Sequence, residues 1–93
     1  MEEKEVLRVM WFVLNKLNMM GKWGGSHTSS RNLFKGLPIE YTASARGKKI
    51  VQRAIKNLVN IQFVLAKPST GEIHVSLNSS KAVEIKEFIQ KFR

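Results

Sequence analysis

The chain has no cysteine, which removes disulfides, thiolate zinc sites and thiol nucleophiles from consideration. It has no aspartate either. The acids are all glutamate, 7 in number against 16 Lys+Arg, and they are clustered. Glu2, Glu3 and Glu5 open the chain, Glu72, Glu84 and Glu87 lie near its end, and Glu40 is the only acid between Glu5 and Glu72. Few carboxylates are therefore left for acid–base chemistry or for hard cations. Long apolar runs are missing as well. The longest covers residues 9–14, far short of the roughly 20 residues a bilayer crossing needs. The first residues are acidic, unlike the basic flank of a secretory signal, so the expected setting is soluble and cytoplasmic. No internal repeat or low-complexity tract is present.

What is there is positive charge on an otherwise ordinary composition. The 93 residues, 43% hydrophobic and 25% charged, carry a net charge of +9. The length fits a single domain, residues 1–93, with one modest core. Its middle carries Arg8, Lys16, Lys22, Arg31, Lys35, Arg46, Lys48, Lys49, Arg53, Lys56 and Lys67. A compact domain with so one-signed a middle attracts polyanions.

Periodicity orders the elements. Val6, Met10, Val13, Leu14 and Leu17 share one face of a helix over residues 2–20, with acids in its first turn. Phe12 and Met19 fall on the outer face. Either the C-terminal helix covers them or they meet a second copy. Residues 21–30 read as a glycine- and hydroxyl-rich loop. Ser29 or Ser30 can cap a short helix through Lys35, ended by Gly36 and Pro38. Residues 39–42 read as a turn, and Thr42 or Ser44 can cap a helix over residues 43–60. That helix buries Ile50, Val51, Ala54, Ile55 and Leu58 and turns Lys49, Gln52, Arg53 and Lys56 outward, with no acid on that face. The period then becomes strand-like over 61–67. A turn follows at 68–71, and residues 72–77 alternate strictly, which makes an antiparallel hairpin. A last helix over about 80–92 carries Ala82, Ile85, Phe88, Ile89 and Phe92 as its apolar stripe.

Helix, short helix, turn, basic helix, hairpin, helix is an α+β order that resembles a winged helix-turn-helix domain. The helix-turn-helix would be residues 30–60 and the wing 61–77. The segments GGSHTSS, FKGLP, LAKPSTG and HVSLN are also similar to those of small archaeal winged-helix proteins. The resemblance implies sequence-specific binding of double-stranded DNA, as in a transcription regulator acting as a homodimer. The residues agree with it in chemical type. Arg46, Lys49 and Arg53 recur at i, i+3 and i+7 along one ridge, where arginine suits guanine edges, and Gln52 suits adenine. Lys48, Lys56 and the wing residue Lys67 suit phosphates. Ser69 and Thr70 at the wing tip, and Ser30 and Arg31 at the start of the short helix, can donate to the backbone. Phe12, Met19, Phe88 and Phe92 are the expected dimer contacts. Two other readings stay open: a protein-interaction module within a larger assembly, and an RNA-binding protein.

Catalysis and cofactors find little support. His27 and His74 are the only histidines, too few for a zinc site without cysteine or aspartate. Residues 21–26, GKWGGS, lack the spacing of a phosphate loop. No serine is set with both a histidine base and an acid to orient it. We therefore expect no enzyme activity, no cofactor, no metal and no small-molecule substrate. Trp11 and Trp23 are expected at the core or its edge.

Overall fold

The computed structural model describes residues 2–92. Met1, Arg93 and the side chain of Glu2 lie outside the described residues. The order is α1 (Glu2–Met19), β1 (Thr28–Ser29), α2 (Ser30–Lys35), α3 (Ile39–Thr42), α4 (Ala45–Asn60), β2 (Val64–Ser69), β3 (Glu72–Leu77), a 3₁₀ turn (Ser79–Lys81) and α5 (Ala82–Lys91). This is an α+β architecture of five helices and a three-stranded antiparallel sheet, β1-β3-β2. The layout is compatible with a winged helix.

The core forms around α1, whose apolar stripe is sealed: Val9, Val13, Leu14 and Leu17 are fully buried. Leu33 of α2, Leu37, Tyr41 of α3, Ile50, Val51, Ala54 and Leu58 of α4, Val64 of β2, Val75 and Leu77 of β3, and Ile85 and Ile89 of α5 join it. Ile55, expected among the buried residues of α4, is half-buried. Trp11 and Trp23 are half-buried against the core. Trp11 donates its indole N–H to the Ile89 carbonyl at 2.8 Å, which ties α5 to α1.

Local signals in the sequence set the helix ends. Gly21, at φ 68°, stops α1, with the Lys22 N–H reaching back to the Leu17 carbonyl at 2.9 Å; only glycine adopts this backbone without cost. Ser29 caps α2 through the Asn32 N–H, and Ser44 caps α4 through the Gly47 N–H at 2.9 Å. Residues 39–42 are not merely a turn. They close one helical turn, with the Ala43 N–H on the Ile39 carbonyl. Gly47 lies against that turn. A Cβ there would sit 2.6 Å from the Glu40 carbonyl oxygen and 2.7 Å from the Tyr41 Cα.

The loop after α1 contains a strand that the sequence reading lacked. Thr28 and Ser29 pair with Val75 and His74, so β3 is central and β2 is an edge. An edge position accommodates Pro68, which has no N–H to give a neighbour, and β2 therefore runs on to Ser69 opposite Glu72. The turn is Thr70-Gly71, both at positive φ (48° and 79°), the conformation that matches strand twist in a tight hairpin. The hairpin outruns the helices: Val75 and Leu77 are buried, whereas Ile73, on the same side, is exposed.

The junction between α4 and the sheet is fastened at one residue. Gln62 is left-handed at φ 65°. The Phe63 N–H bonds the Leu58 carbonyl, while the Gln62 carbonyl accepts from the Asn78 side chain at 2.8 Å. Asn78 also donates its backbone N–H to Phe63 and accepts from Ser80.

Two substitutions test these joints. Alanine is the better helix former by about 1 kcal/mol, yet Gly47→Ala should lower stability by about 1–3 kcal/mol because rigid backbone blocks the methyl. Gln62→Gly should raise stability by about 1 kcal/mol by relieving the left-handed backbone. Urea midpoints read both, and a rise for Gly47→Ala would contradict the close approach.

Candidate nucleic-acid interface

Five apolar contacts hold the inner face of α4, at Gly47, Ile50, Val51, Ala54 and Leu58. The outer face is exposed from Arg46 to Lys56, and at about 100° per residue it divides into three strips.

The strip facing α1 carries Arg46 and Arg53. The expected ridge of Arg46, Lys49 and Arg53 does form. Together with Val6, Ala45 and Ile50 it lines an open crevice of about 500 Å³. Helix α1 brings an acid to it, however. The Arg46 guanidinium meets the Glu5 carboxylate in a fork, with both N···O distances 3.1 Å. Arg53 borders a second crevice beside Glu3, Asn57 and Asn60. The face has no acid in its own sequence, but its α1 edge is partly neutralised in the fold.

Lys49 and Lys56 form the crest, both exposed. The third strip, Lys48 and Gln52, borders an apolar cavity of about 250 Å³ floored by Phe34, Tyr41, Thr42 and Val51. No sequence signal pointed to this cavity, because its walls come from three separate helices.

The hairpin brings Lys67, Ser69 and Thr70 to the opposite end of the sheet from Leu77. Lys67 and Thr70 are exposed and Ser69 is half-buried. Arg31 of α2 reaches Glu72 of β3 at 3.7 Å. Ser30 is half-buried at the first position of α2, where Ser29 already occupies the Asn32 N–H. Arg31 and the hairpin are thus joined, which their sequence separation did not reveal.

The two histidines also meet. His27 and His74 approach Nδ1 to Nδ1 at 2.7 Å, ring centroids 4.7 Å apart, so one ring donates and the other accepts a single shared proton. The His74 Nε2 lies 3.7 Å from Glu72, and Lys67 is its cross-strand neighbour. His27, expected to bond backbone, bonds this ring instead, and His74 is half-buried, not on open surface. Among the described residues, no group of three His, Cys, Asp or Glu side chains is placed to hold a metal ion.

Three of the four expected dimer residues lie next to one another. Phe12 and Phe92 line the same groove between α1 and the end of α5. Phe88 is packed between Phe63 and Phe92. Met19, 76% exposed, touches Asn15.

Comparison with family profiles, curated proteins and solved structures finds no match for this chain. Among the described residues no helix is long and apolar enough to cross a membrane.

Tyr41, the sole tyrosine, reports on the ground beneath α4. Burial pushes its hydroxyl above the ordinary value of 10.0. Arg8 opposes that shift, Glu40 and Glu5 add to it, and Arg46 opposes it again. The folded chain holds this proton more tightly than the unfolded one. The resulting stability is present below the unfolded value, about 10, and is lost as pH rises past it. Tyrosinate absorbance should titrate above 10.0 in the folded chain and near 10 in urea. Equal midpoints would show that the ring is solvated.

Proposed function

We propose that the chain is a winged-helix protein that binds double-stranded DNA, with α4 as the recognition helix, the β2–β3 hairpin as the wing, and transcription regulation as the role. One observation carries the reading: α4 is anchored along a fully apolar face while its outer face offers Lys48, Lys49, Gln52, Arg53 and Lys56. The major groove is about 12 Å wide and admits one helix presenting long donors.

Within that reading the strips have different tasks. Lys49 and Lys56 on the crest, with Lys67 on the wing, meet phosphates as point charges. Gln52 is the base reader on the open side of the helix, where its amide can fork onto adenine N6 and N7. Arg46 reaches a base only by exchanging Glu5 for it, so we assign Arg46 a smaller share than its position in the sequence suggests. Ser69, Thr70 and Arg31 supply backbone contacts near the hairpin. RNA binding is less favoured: modules that read single strands present aromatic platforms, and Phe63, just before the hairpin, packs edge-on against Phe88.

Titration of a duplex library at several salt concentrations tests the proposal. Lys49→Ala and Lys56→Ala should each weaken binding uniformly across sequences and reduce the salt slope by about 1. Gln52→Ala should relax preference at one base pair with the slope unchanged. If the wild-type chain holds duplex no better than a neutral domain at moderate salt, the reading is wrong.

A further inference from the structure

The α1 groove that contains Phe12 and Phe92 has a chemistry different from that of the α4 face. Its walls are Lys4, Leu7, Arg8, Trp11 and Phe12 from α1 and Phe92 just past α5, and they enclose about 380 Å³. The helical period places these α1 residues about half a turn away from Val6, Val13 and Leu17, on a flank where Trp11 and Phe12 are only partly buried against the core. The floor is apolar throughout. The polar atom of Trp11 is already satisfied by the Ile89 carbonyl, and Phe12 stands edge-on to the indole, centroids 5.3 Å apart. Leu7 is 38% and Phe92 43% exposed.

The rim has one sign. The Arg8 guanidinium lies 5.7 Å from the Phe12 ring centroid, and the Lys91 ammonium 5.7 Å from that of Phe92. Lys4 stands beside them, and among the described residues no acid lines the groove. We propose that this groove docks an acidic amphipathic helix of another protein, with large apolar side chains at i and i+4 on the floor and glutamates or aspartates toward Lys4, Arg8 and Lys91. Grooves of this kind read an apolar stripe at helical spacing, and complementary charge fixes orientation and excludes wrong partners. Charge also decides against a second copy. A twofold contact would set Lys4, Arg8 and Lys91 against their own equivalents, on chains that each carry +9. The proposal is independent of DNA binding, since the groove and the α4 crest share no residue.

The test uses the full chain and three synthetic helices. One has leucine at i and i+4 flanked by glutamate, one has alanine for leucine, and one has lysine for glutamate. The first should bind about tenfold or more tighter than either control, with amide shifts at Leu7, Arg8, Phe12 and Phe92. The exposed pair Leu7→Ser with Phe92→Ser should lose that advantage, and circular dichroism verifies that the variant is folded. Lys4→Glu with Arg8→Glu should transfer the preference to the lysine helix, a swap that mere unfolding cannot produce. Equal binding of the leucine and alanine helices overturns the proposal. So do shifts centred on Lys49, Gln52 and Lys56, which would mark generic attraction of acid to the nucleic-acid face. Sedimentation of a wild-type dimer that Leu7→Ser with Phe92→Ser makes monomeric overturns it too, because a second copy would then be the occupant. Loss of duplex binding with peptide binding intact removes the proposed function and leaves the groove in place.

Discussion

Helix α1 is buried by what folds around it, and the rest of the structure follows from that. Its stripe from Val6 to Leu17 is the surface on which α4, α2 and β3 converge, and α5 is pinned beside it through Trp11. In a chain this small no second core can form. α4, α5, β3 and α2 each meet α1 with an apolar face, which fixes their outward faces by exclusion. The cationic face of α4 is the surface left after Ile50, Val51, Ala54 and Leu58 have found α1 and its neighbours.

The same packing redistributes charge. Acids in the first turn of α1 suit the helix dipole, but α1 lies along α4, so that turn arrives beside Arg46. One flank of the basic helix is consequently held in an ion pair, while the crest and the opposite flank keep their charge toward solvent. A second redistribution occurs at the hairpin, where Glu72 stands between Arg31 and His74. The two crossings separate the positive surface into a helix crest and a hairpin edge.

Features governed by near neighbours were legible in the sequence. Gly21, Ser29 and Ser44 act within a few residues of themselves, so the helix limits followed from local chemistry. The alternation of residues 72–77 located β3 to the residue. Two regions were harder. Strand β1 has only two residues and no alternation to read, and it exists because β3 offers an edge. The hairpin turn moved two residues forward because Pro68 is tolerated once β2 is an edge strand, which no local rule specifies. In the candidate site, residue types on α4 were legible and their partners were not. Glu5–Arg46 and His27–His74 join positions 41 and 47 residues apart, and a periodicity argument contains no term for such distances. The outward positions of Phe12 and Phe92 were legible, but the basic rim was not, because it needs the end of α5 beside the first turns of α1.

The Gln62–Asn78 junction has a consequence for any ligand that touches both α4 and the hairpin. The left-handed backbone at Gln62 and the bonds that Asn78 makes to Gln62, Phe63 and Ser80 join the helix to the sheet without a hinge. The two arms behave as a calliper set at one opening. A stiff partner must present features at that separation, and a flexible one must bend to it, so its deformability becomes part of what is selected. The ordering entropy of the arms is spent during folding, so a ligand spanning both would meet them already at their separation.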